Sequence, residues 1–150
     1  MVEANKSKSS GADQPKVQPI GPNDPPARPG TNAFKVLGSR FELPLNYEII
    51  DPVGSGAYGV VVAARDKNEA EPNNLVAIKK IEKAFEHKIF ALRTLRELKI
   101  MRLLNNENVL SVKNILKPES LEKFDQIYVV TELMETDLSQ IIKSNQALTD

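Results

Sequence analysis

The pattern of apolar and polar positions changes after residue 42. From residue 43 onward, β-branched and aromatic runs alternate with polar stretches, and such runs predict strands. The predicted strands are NYEIIDPV (46–53), GVVVAAR (59–65), LVAIKKI (75–81), VLSVKNIL (109–116) and QIYVVTEL (126–133). A helical period follows the third strand and another follows the fifth, so the pattern predicts a domain that mixes strands with helices.

The longer predicted helix extends from about Lys88 to Leu104, where Gly and Pro are absent and helix-forming residues dominate. Its predicted inner face recurs every three or four residues. The residues of that face are Phe90, Thr94, Glu97, Met101 and Leu104. A second, short helix is predicted over TDLSQIIKS (136–144), with Thr136 as its N-cap.

Residues 1 to 42 have a different composition. They hold six of the ten prolines, with Ser, Gly, Asn and Lys in short clusters and few apolar side chains. A segment of this kind buries too little surface to offset the entropy lost on ordering it. We therefore predict a disordered, solvated tail over residues 1–42, with a polyproline II ligand at PNDPPARPG (22–30) as the alternative for its middle part.

Composition excludes several kinds of site and partner. The chain has no cysteine and one histidine, His87, which excludes disulfides, cysteine nucleophiles, thiolate zinc sites and histidine-cluster metal sites. The 20 basic and 20 acidic residues balance, so nothing indicates a nucleic acid or a membrane surface as partner. Since no apolar run approaches a secretory core or the ~18 residues of a membrane span, we expect a soluble protein of the cytoplasm, with the nucleus open as a second location.

A glycine-rich segment joins the first two predicted strands. Gly54, Gly56 and Gly59 match G-x-G-x-x-G, and Val61 extends the match. The residues that follow, VVVAA, favour a strand, whereas a dinucleotide fingerprint requires a helix there and a Walker A loop requires Gly-Lys-Ser/Thr. A glycine hairpin brings backbone N–H groups close to phosphate oxygens, and Tyr58 at its tip is placed to cap them. An ordinary tight turn with an exposed aromatic is the alternative.

A lysine lies within the third predicted strand, in Val-Ala-Ile-Lys79. Alternation places Ala77, Lys79 and Ile81 on one face, and Lys80 on the other, toward solvent or the helix. Because an unpaired charge on an apolar helix face is costly, Glu97 is predicted to pair with Lys79. The glycine loop nearby favours a phosphate ligand for Lys79, with an edge-strand lysine as the alternative.

The segments GSGAYGVV (54–61), VAIKKI (76–81), RTLRELKIM (93–101) and LMETDL (133–138) closely resemble those of mitogen-activated protein kinases, which belong to the CMGC serine/threonine kinases. The resemblance covers about residues 34–150. It implies an α+β fold, the protein-kinase-like small lobe, with a five-stranded antiparallel sheet and one regulatory helix. The implied bounds are 43–131 for the small lobe, 132–135 for the hinge and 136–150 for the start of the large lobe.

The resemblance also implies an ATP site, position by position. The implied ATP-binding residues are Val53, Gly54, Ser55, Gly56, Ala57, Tyr58, Gly59, Val60, Val61, Ala77, Lys79, Thr131, Glu132, Met134 and Asp137. Lys79 and Glu97 are the implied catalytic pair, in which the glutamate holds the lysine against the α- and β-phosphates. Thr131 corresponds to the gatekeeper, and backbone groups of Glu132 and Met134 to the adenine contacts of the hinge.

Other implied roles have structural alternatives. Asp137 corresponds to the ribose-binding acid, but a helix-start carboxylate is an alternative. Arg93 and Arg96 correspond to regulatory residues that meet the activation-loop phosphothreonine, or else they lie on a solvated helix face. The sequence departs from the family at Asn106, where a histidine is usual, and it leaves the kinase subgroup open.

No H-R-D-x-x-x-x-N or D-F-G segment occurs before the chain ends at Asp150. The family's catalytic base, magnesium ligands, activation loop and substrate groove belong to those segments and the large lobe, as do the contacts with protein substrates and the upstream activating kinase. We expect ATP and Mg²⁺ as cofactors of the parent enzyme and no phosphoryl transfer by this chain alone. The alternative is a non-catalytic nucleotide-binding or scaffold fragment; intact Lys79, Glu97 and glycines favour the kinase interpretation.

Overall fold

The computed structural model describes residues 17–56 and 59–145, which form eight strands and two helices. The strands are β1 (Val17–Pro19), β2 (Thr31–Val36), β3 (Ser39–Pro44), β4 (Tyr47–Gly56), β5 (Gly59–Asp66), β6 (Leu75–Ile81), β7 (Val112–Ile115) and β8 (Ile127–Glu132). The helices are α1 (Lys88–Leu103) and α2 (Leu138–Lys143). Neither of these two helices has the length and apolar character needed to cross a membrane.

The five strands predicted from the sequence form one antiparallel sheet in the order β4-β5-β6-β8-β7. This confirms the predicted fold class. The observed strand β4 is longer than predicted because it continues through the first two glycines to Gly56, which pairs with Gly59. The predicted fourth strand is shortened to the four residues of β7, at the edge of the sheet.

Helix α1 has nearly the predicted bounds, but its predicted inner face is confirmed only in part. The half-buried residues of α1 are Ala91, Thr94, Leu98 and Met101, of which Thr94 and Met101 were predicted on the inner face. Phe90, Glu97 and Leu104, which were predicted on the inner face, are exposed. The prediction failed because large apolar side chains surround this helix on all sides, so its sequence defines no single apolar stripe.

The prediction of a disordered tail over residues 1–42 is wrong for residues 17–42. Strands β1, β2 and β3 form a second antiparallel sheet, and Val36, Phe41 and Leu43 are fully buried. These side chains join one core with Val62, Ile78 and Val130 of the larger sheet. The overlooked signal was the alternation within residues 31–44, where every second residue of β3 is buried. Residues 1–16 of the predicted tail lie outside the described residues.

The proline-rich segment is bound to the second sheet. The Arg40 guanidinium donates hydrogen bonds to the carbonyl oxygens of Pro25 and Pro26. Glu42 accepts hydrogen bonds from the backbone N–H and Nε of Arg28 and from Thr31 Oγ1. These contacts hold the segment within the chain, in place of the solvated tail that was predicted there.

Lys80 also differs from its prediction. Its side chain does not face solvent or α1; it is 4% exposed and lies between the two sheets. The alternation of β6 was predicted correctly, but the opposite face was assigned to solvent because the second sheet had not been recognised. Lys80 therefore belongs to the contact between the sheets.

Candidate functional site

A cavity of about 630 Å³, open to solvent on one side, is lined by residues of β4, β5, β6, β8, α1 and the segment that joins β8 to α2. Cavities of this size are typical of small-molecule sites. Of the predicted site residues, the cavity lining contains Val53, Val61, Ala77, Lys79, Glu97, Thr131, Glu132, Met134 and Asp137. The structure thus brings together residues that lie up to 84 positions apart in the sequence (Val53 to Asp137).

Three adjacent strands build the inner wall of the cavity by their register. The wall side chains are Val61, Ala63, Ala77, Lys79, Val129 and Thr131. Ala77 pairs with Ala63 on one side and with Thr131 on the other, so small residues form a row across the sheet. Such a row leaves space for a flat ring. Sequence reasoning missed Ala63, although two-residue alternation from Val61 identifies it.

The glycine segment forms a hairpin beside this wall, as predicted. Gly54 pairs with Val61, and Gly56 pairs with Gly59. Irregular register on both sides of Pro52 bends β4 here. Ala57 and Tyr58, the predicted tip residues, lie outside the described residues.

Gly59 has a backbone conformation that favours glycine. Its φ is +124°, and a Cβ atom built on it would lie 1.8 Å from the carbonyl oxygen of Lys80. No side chain fits at that distance. The third glycine is therefore required by contact between β5 and β6, irrespective of any ligand.

Five predicted ATP-binding residues, among those that the structure describes, do not line the cavity. The side chain of Val60 is buried in the hydrophobic core on the opposite face of β5. Gly54, Ser55, Gly56 and Gly59 lie in the two hairpin strands, outside the cavity lining. Strand alternation explains why the Val60 side chain points away from the cavity, because its neighbour Val61 faces the cavity.

Lys79 and Glu97 form the predicted ion pair, with Lys79 Nζ 2.9 Å from Glu97 Oε1. The side chains are 32% and 50% exposed, so Glu97 is not the buried carboxylate that was predicted. A pair this accessible contributes about 0–1 kcal/mol to stability. Its consequence is geometric: it holds an ammonium group at the end of the cavity next to the glycine hairpin.

The end of β8 and the segment that follows it line the other end of the cavity. Thr131 is buried, and its Oγ1 donates to the carbonyl oxygen of Glu132 at 3.1 Å. Met134 lies past the end of β8, and within the described residues no hydrogen bond engages its backbone. A backbone donor and acceptor at the cavity edge match the edge of a heterocyclic base.

Asp137 is both a cavity residue and the N-cap of α2. Its Oδ1 accepts from the backbone N–H of Gln140 at 2.8 Å. The predicted cap, Thr136, is wrong by one residue, since the aspartate carboxylate satisfies the free N–H of the first turn. Oδ1 is therefore engaged by the cap, while Oδ2 has only a longer contact of 3.3 Å with Gln140 Nε2.

Arg93 and Arg96 are exposed on α1, and neither has a salt bridge within the part of the chain that the structure describes. Arg93 contributes to a small cavity with Lys79 and Glu97, whereas Arg96 does not. Their predicted regulatory role stays a prediction.

Sequence reasoning missed several further lining residues. Leu98, Leu110 and Gln140 also line the cavity. The spacing of three between Leu98 and Met101 on α1 was the available signal. Across residues 17–56 and 59–145, no group of three or more His, Cys, Asp or Glu side chains is arranged to hold a metal ion.

Comparison with known families and proteins gives a consistent result. The family model described as "Protein kinase domain" matches residues 47–150. Mitogen-activated protein kinase homolog 1 of Petunia hybrida is 46% identical over 132 residues, which are 88% of this chain and 34% of that protein. Extracellular signal-regulated kinase 1 of Dictyostelium discoideum is 49% identical over 118 residues, 79% of this chain and 22% of that protein.

Mitogen-activated protein kinase 4 of Arabidopsis thaliana is also 49% identical over 118 residues, 78% of this chain and 31% of the relative. The chain therefore spans about a third or less of the length of these curated relatives. The similarities confirm the resemblance that the four sequence segments carry.

Proposed function

The chain belongs to the protein kinase family, and on this premise we propose that it is the ATP-binding part of a mitogen-activated serine/threonine protein kinase. Such an enzyme transfers the γ-phosphate of ATP to protein Ser or Thr. The observation that carries the proposal is the placement of Lys79 Nζ, held by Glu97, at the end of a cavity whose wall is lined by small side chains.

In this proposal adenine lies against the wall that contains Val61 and Ala77, with Val53 of β4 beside it. Burial of the flat faces of the adenine ring there supplies affinity through the hydrophobic effect. The backbone groups of Glu132 and Met134 orient the base by hydrogen bonds, and Thr131 limits the depth of the cavity. Asp137 accepts a hydrogen bond from a ribose hydroxyl through Oδ2, since Oδ1 caps α2.

The phosphates extend from this position toward Lys79 and the glycine hairpin. The ammonium group offsets phosphate charge, and Glu97 fixes its direction. Mg²⁺, which protein kinases use to neutralise the phosphates, would supply further positive charge when bound. The described residues do not form a site for that ion, so the contacts proposed for this chain use its own side chains and backbone alone.

A titration with ATP tests the proposal. We expect weak binding, on the order of 1 mM, detected by NMR shifts of Val61, Ala77 and Met134. Lys79→Met should weaken ATP binding about tenfold, while Lys67→Met, on a lysine paired with Glu48 away from the cavity, should not. A folded chain that leaves all cavity resonances unshifted at high ATP concentration would refute the proposed function.

A second candidate is a non-catalytic scaffold, and one observation favours it. Helix α1 exposes Ile89, Leu92, Ile100 and Leu103, an apolar surface of the kind that mediates association. The same titration separates the two candidates, because a scaffold needs neither ATP affinity nor a response to Lys79→Met. Protein substrates and an upstream activating kinase remain proposals for the whole enzyme.

A further inference from the structure

Lys80 follows the phosphate-facing Lys79 on β6 and projects to the opposite side of the sheet. Its Nζ donates to the carbonyl oxygen of Arg40 at 2.5 Å, to Glu82 Oε1 at 2.7 Å and to Ser39 Oγ at 3.3 Å. An ammonium group has three N–H donors, and these contacts use all three. Two of the acceptors belong to β3 of the second sheet.

Two aromatic rings complete the surroundings of this ammonium. Lys80 Nζ lies 5.8 Å from the centroid of the Phe41 ring and 5.9 Å from that of Tyr128. Both distances are within the range of cation–π attraction. The two rings contact each other edge to face, and both are buried, so the position of Nζ is defined on every side.

The backbone of Lys80 is fixed as closely as its side chain. It pairs with Val60 and with Tyr128, and its carbonyl oxygen lies against Gly59 without space for a Cβ atom. Lys80 therefore connects the second sheet, the end of the glycine hairpin and the strand of Lys79.

The other face of β6 holds no comparable buried charge, although Ile81 lies there in a small core cluster that Leu98 packs against. Helix α1 has no buried residue, and the accessible pair of Lys79 with Glu97 is worth about 0–1 kcal/mol. Backbone pairing with β5 and β8 sets the register of β6. The buried charged side chain with three acceptors adds a restraint from the second sheet, since sliding would leave its charge unpaired.

We propose that Lys80 is a positioning residue: its anchored side chain fixes β6 relative to the glycine hairpin, so that the Lys79 ammonium group and the hairpin face the phosphates together. This inference rests on the proposed function for its phosphate readout. It predicts a specific loss of phosphate recognition, with the adenosine part of the site kept.

The experiment compares ATP with adenosine on the full chain by NMR titration. Lys80→Met, which keeps the apolar stem but removes the charge, should weaken ATP binding about tenfold and adenosine binding less than about twofold. Glu82→Gln leaves Lys80 in place and should produce the same selectivity at about two- to threefold, so it decides the question if Lys80→Met does not fold. Equal losses for the two ligands, or no loss, would overturn the inference.

A second readout needs no nucleotide. Competitive acetylation of the apo chain, followed by mass spectrometry, should show Lys79 reacting several-fold faster in Lys80→Met and Glu82→Gln, with Lys67 and Lys113 unchanged. Glu97→Gln is the positive control, since it weakens the Lys79 ion pair directly. If the unmodified chain binds no ATP, the proposed function fails while this assay still tests Lys80. Unchanged Lys79 reactivity, or faster reaction of all lysines alike, refutes the positioning role.

Discussion

Glu42 of the second sheet is an ionised carboxylate whose hydrogen bonds hold neighbouring segments together. Burial opposes ionisation, but hydrogen bonds from Arg28, Thr31 and Arg40 outweigh that effect and lower the pKa of Glu42 from its ordinary 4.5 to about 2. The ionised carboxylate therefore stabilises the folded chain. Its partners belong to the proline-rich segment and to the strands beside it, so this stability serves the contact between them.

This shift predicts acid sensitivity. A depressed pKa contributes stability that is complete above pH of about 5 and is lost as the pH falls toward 2. Urea titrations between pH 6 and 2.5 should show a loss of up to about 3 kcal/mol from this group. Glu42→Gln should flatten that part of the profile, while Glu48→Gln, on an exposed glutamate, should not. A Glu42→Gln profile that parallels the unmodified chain would contradict the assignment.

Gly59 gives a second prediction for a single residue. A methyl group there meets the Lys80 carbonyl oxygen and also a φ of +124°, so Gly59→Ala should cost several kcal/mol, roughly 3 or more. Gly54→Ala is the matched control, since nothing lies within 4 Å of a Cβ atom at that position, and it should change stability by less than about 1 kcal/mol. Thermal unfolding followed by circular dichroism measures both. Similar melting temperatures for the two variants would show that the close contact is absent in solution.

Individual residues also show how far sequence reasoning extends. The pairing of Lys79 with Glu97 was predictable because motif and spacing identify both partners. The exposure of Glu97 was not predictable, since it depends on the rotation of α1 about its axis. Lys80 was assigned to the wrong surroundings because its acceptors, Ser39 and Arg40, lie about 40 residues earlier in a segment whose prolines concealed its strands.

At the level of elements, the bounds of α1 follow from its sequence, whereas its orientation depends on packing. Its bounds follow from helix propensity and the absence of Gly and Pro. Its orientation does not, because apolar residues surround it. Leu98 packs against the small core cluster of Ile81, Ile127 and Val129, whereas Leu103 is 79% exposed.

The different burial of Leu98 and Leu103 can be tested with one alanine variant of each. Leu98→Ala should lower the free energy of unfolding by about 1–2 kcal/mol, less than a fully buried leucine because Leu98 is only partly buried. Leu103→Ala should change it by less than about 0.5 kcal/mol, as is usual for exposed positions. Chemical denaturation of both variants measures the difference. Equal losses would mean that α1 is rotated relative to the orientation described.

For the molecule as a whole, the two sheets share a single core. The sequence predicted the five-stranded sheet and most of the cavity, since strand periodicity and the family segments both lie within residues 46–137. It did not predict that residues 31–44 supply part of the core, because composition averaged over 42 residues masked a short alternating pattern. The cavity wall is nonetheless supported from behind by Phe41, through Tyr128 and the anchored Lys80.

That support predicts cooperative unfolding of both sheets. Phe41 is fully buried, so Phe41→Ala should lower the free energy of unfolding by about 3–5 kcal/mol through lost burial and a residual cavity. Because Phe41 contacts Tyr128 of β8, tyrosine fluorescence and far-ultraviolet circular dichroism should change in one transition in the variant as in the unmodified chain. Leu45→Ala, at an exposed leucine just after β3, is the control and should cost less than about 0.5 kcal/mol. A separate early transition in Phe41→Ala, with the five-stranded sheet still folded, would instead show that the second sheet is an independent unit, and Lys80 would then lose its anchor without the rest of the fold being affected.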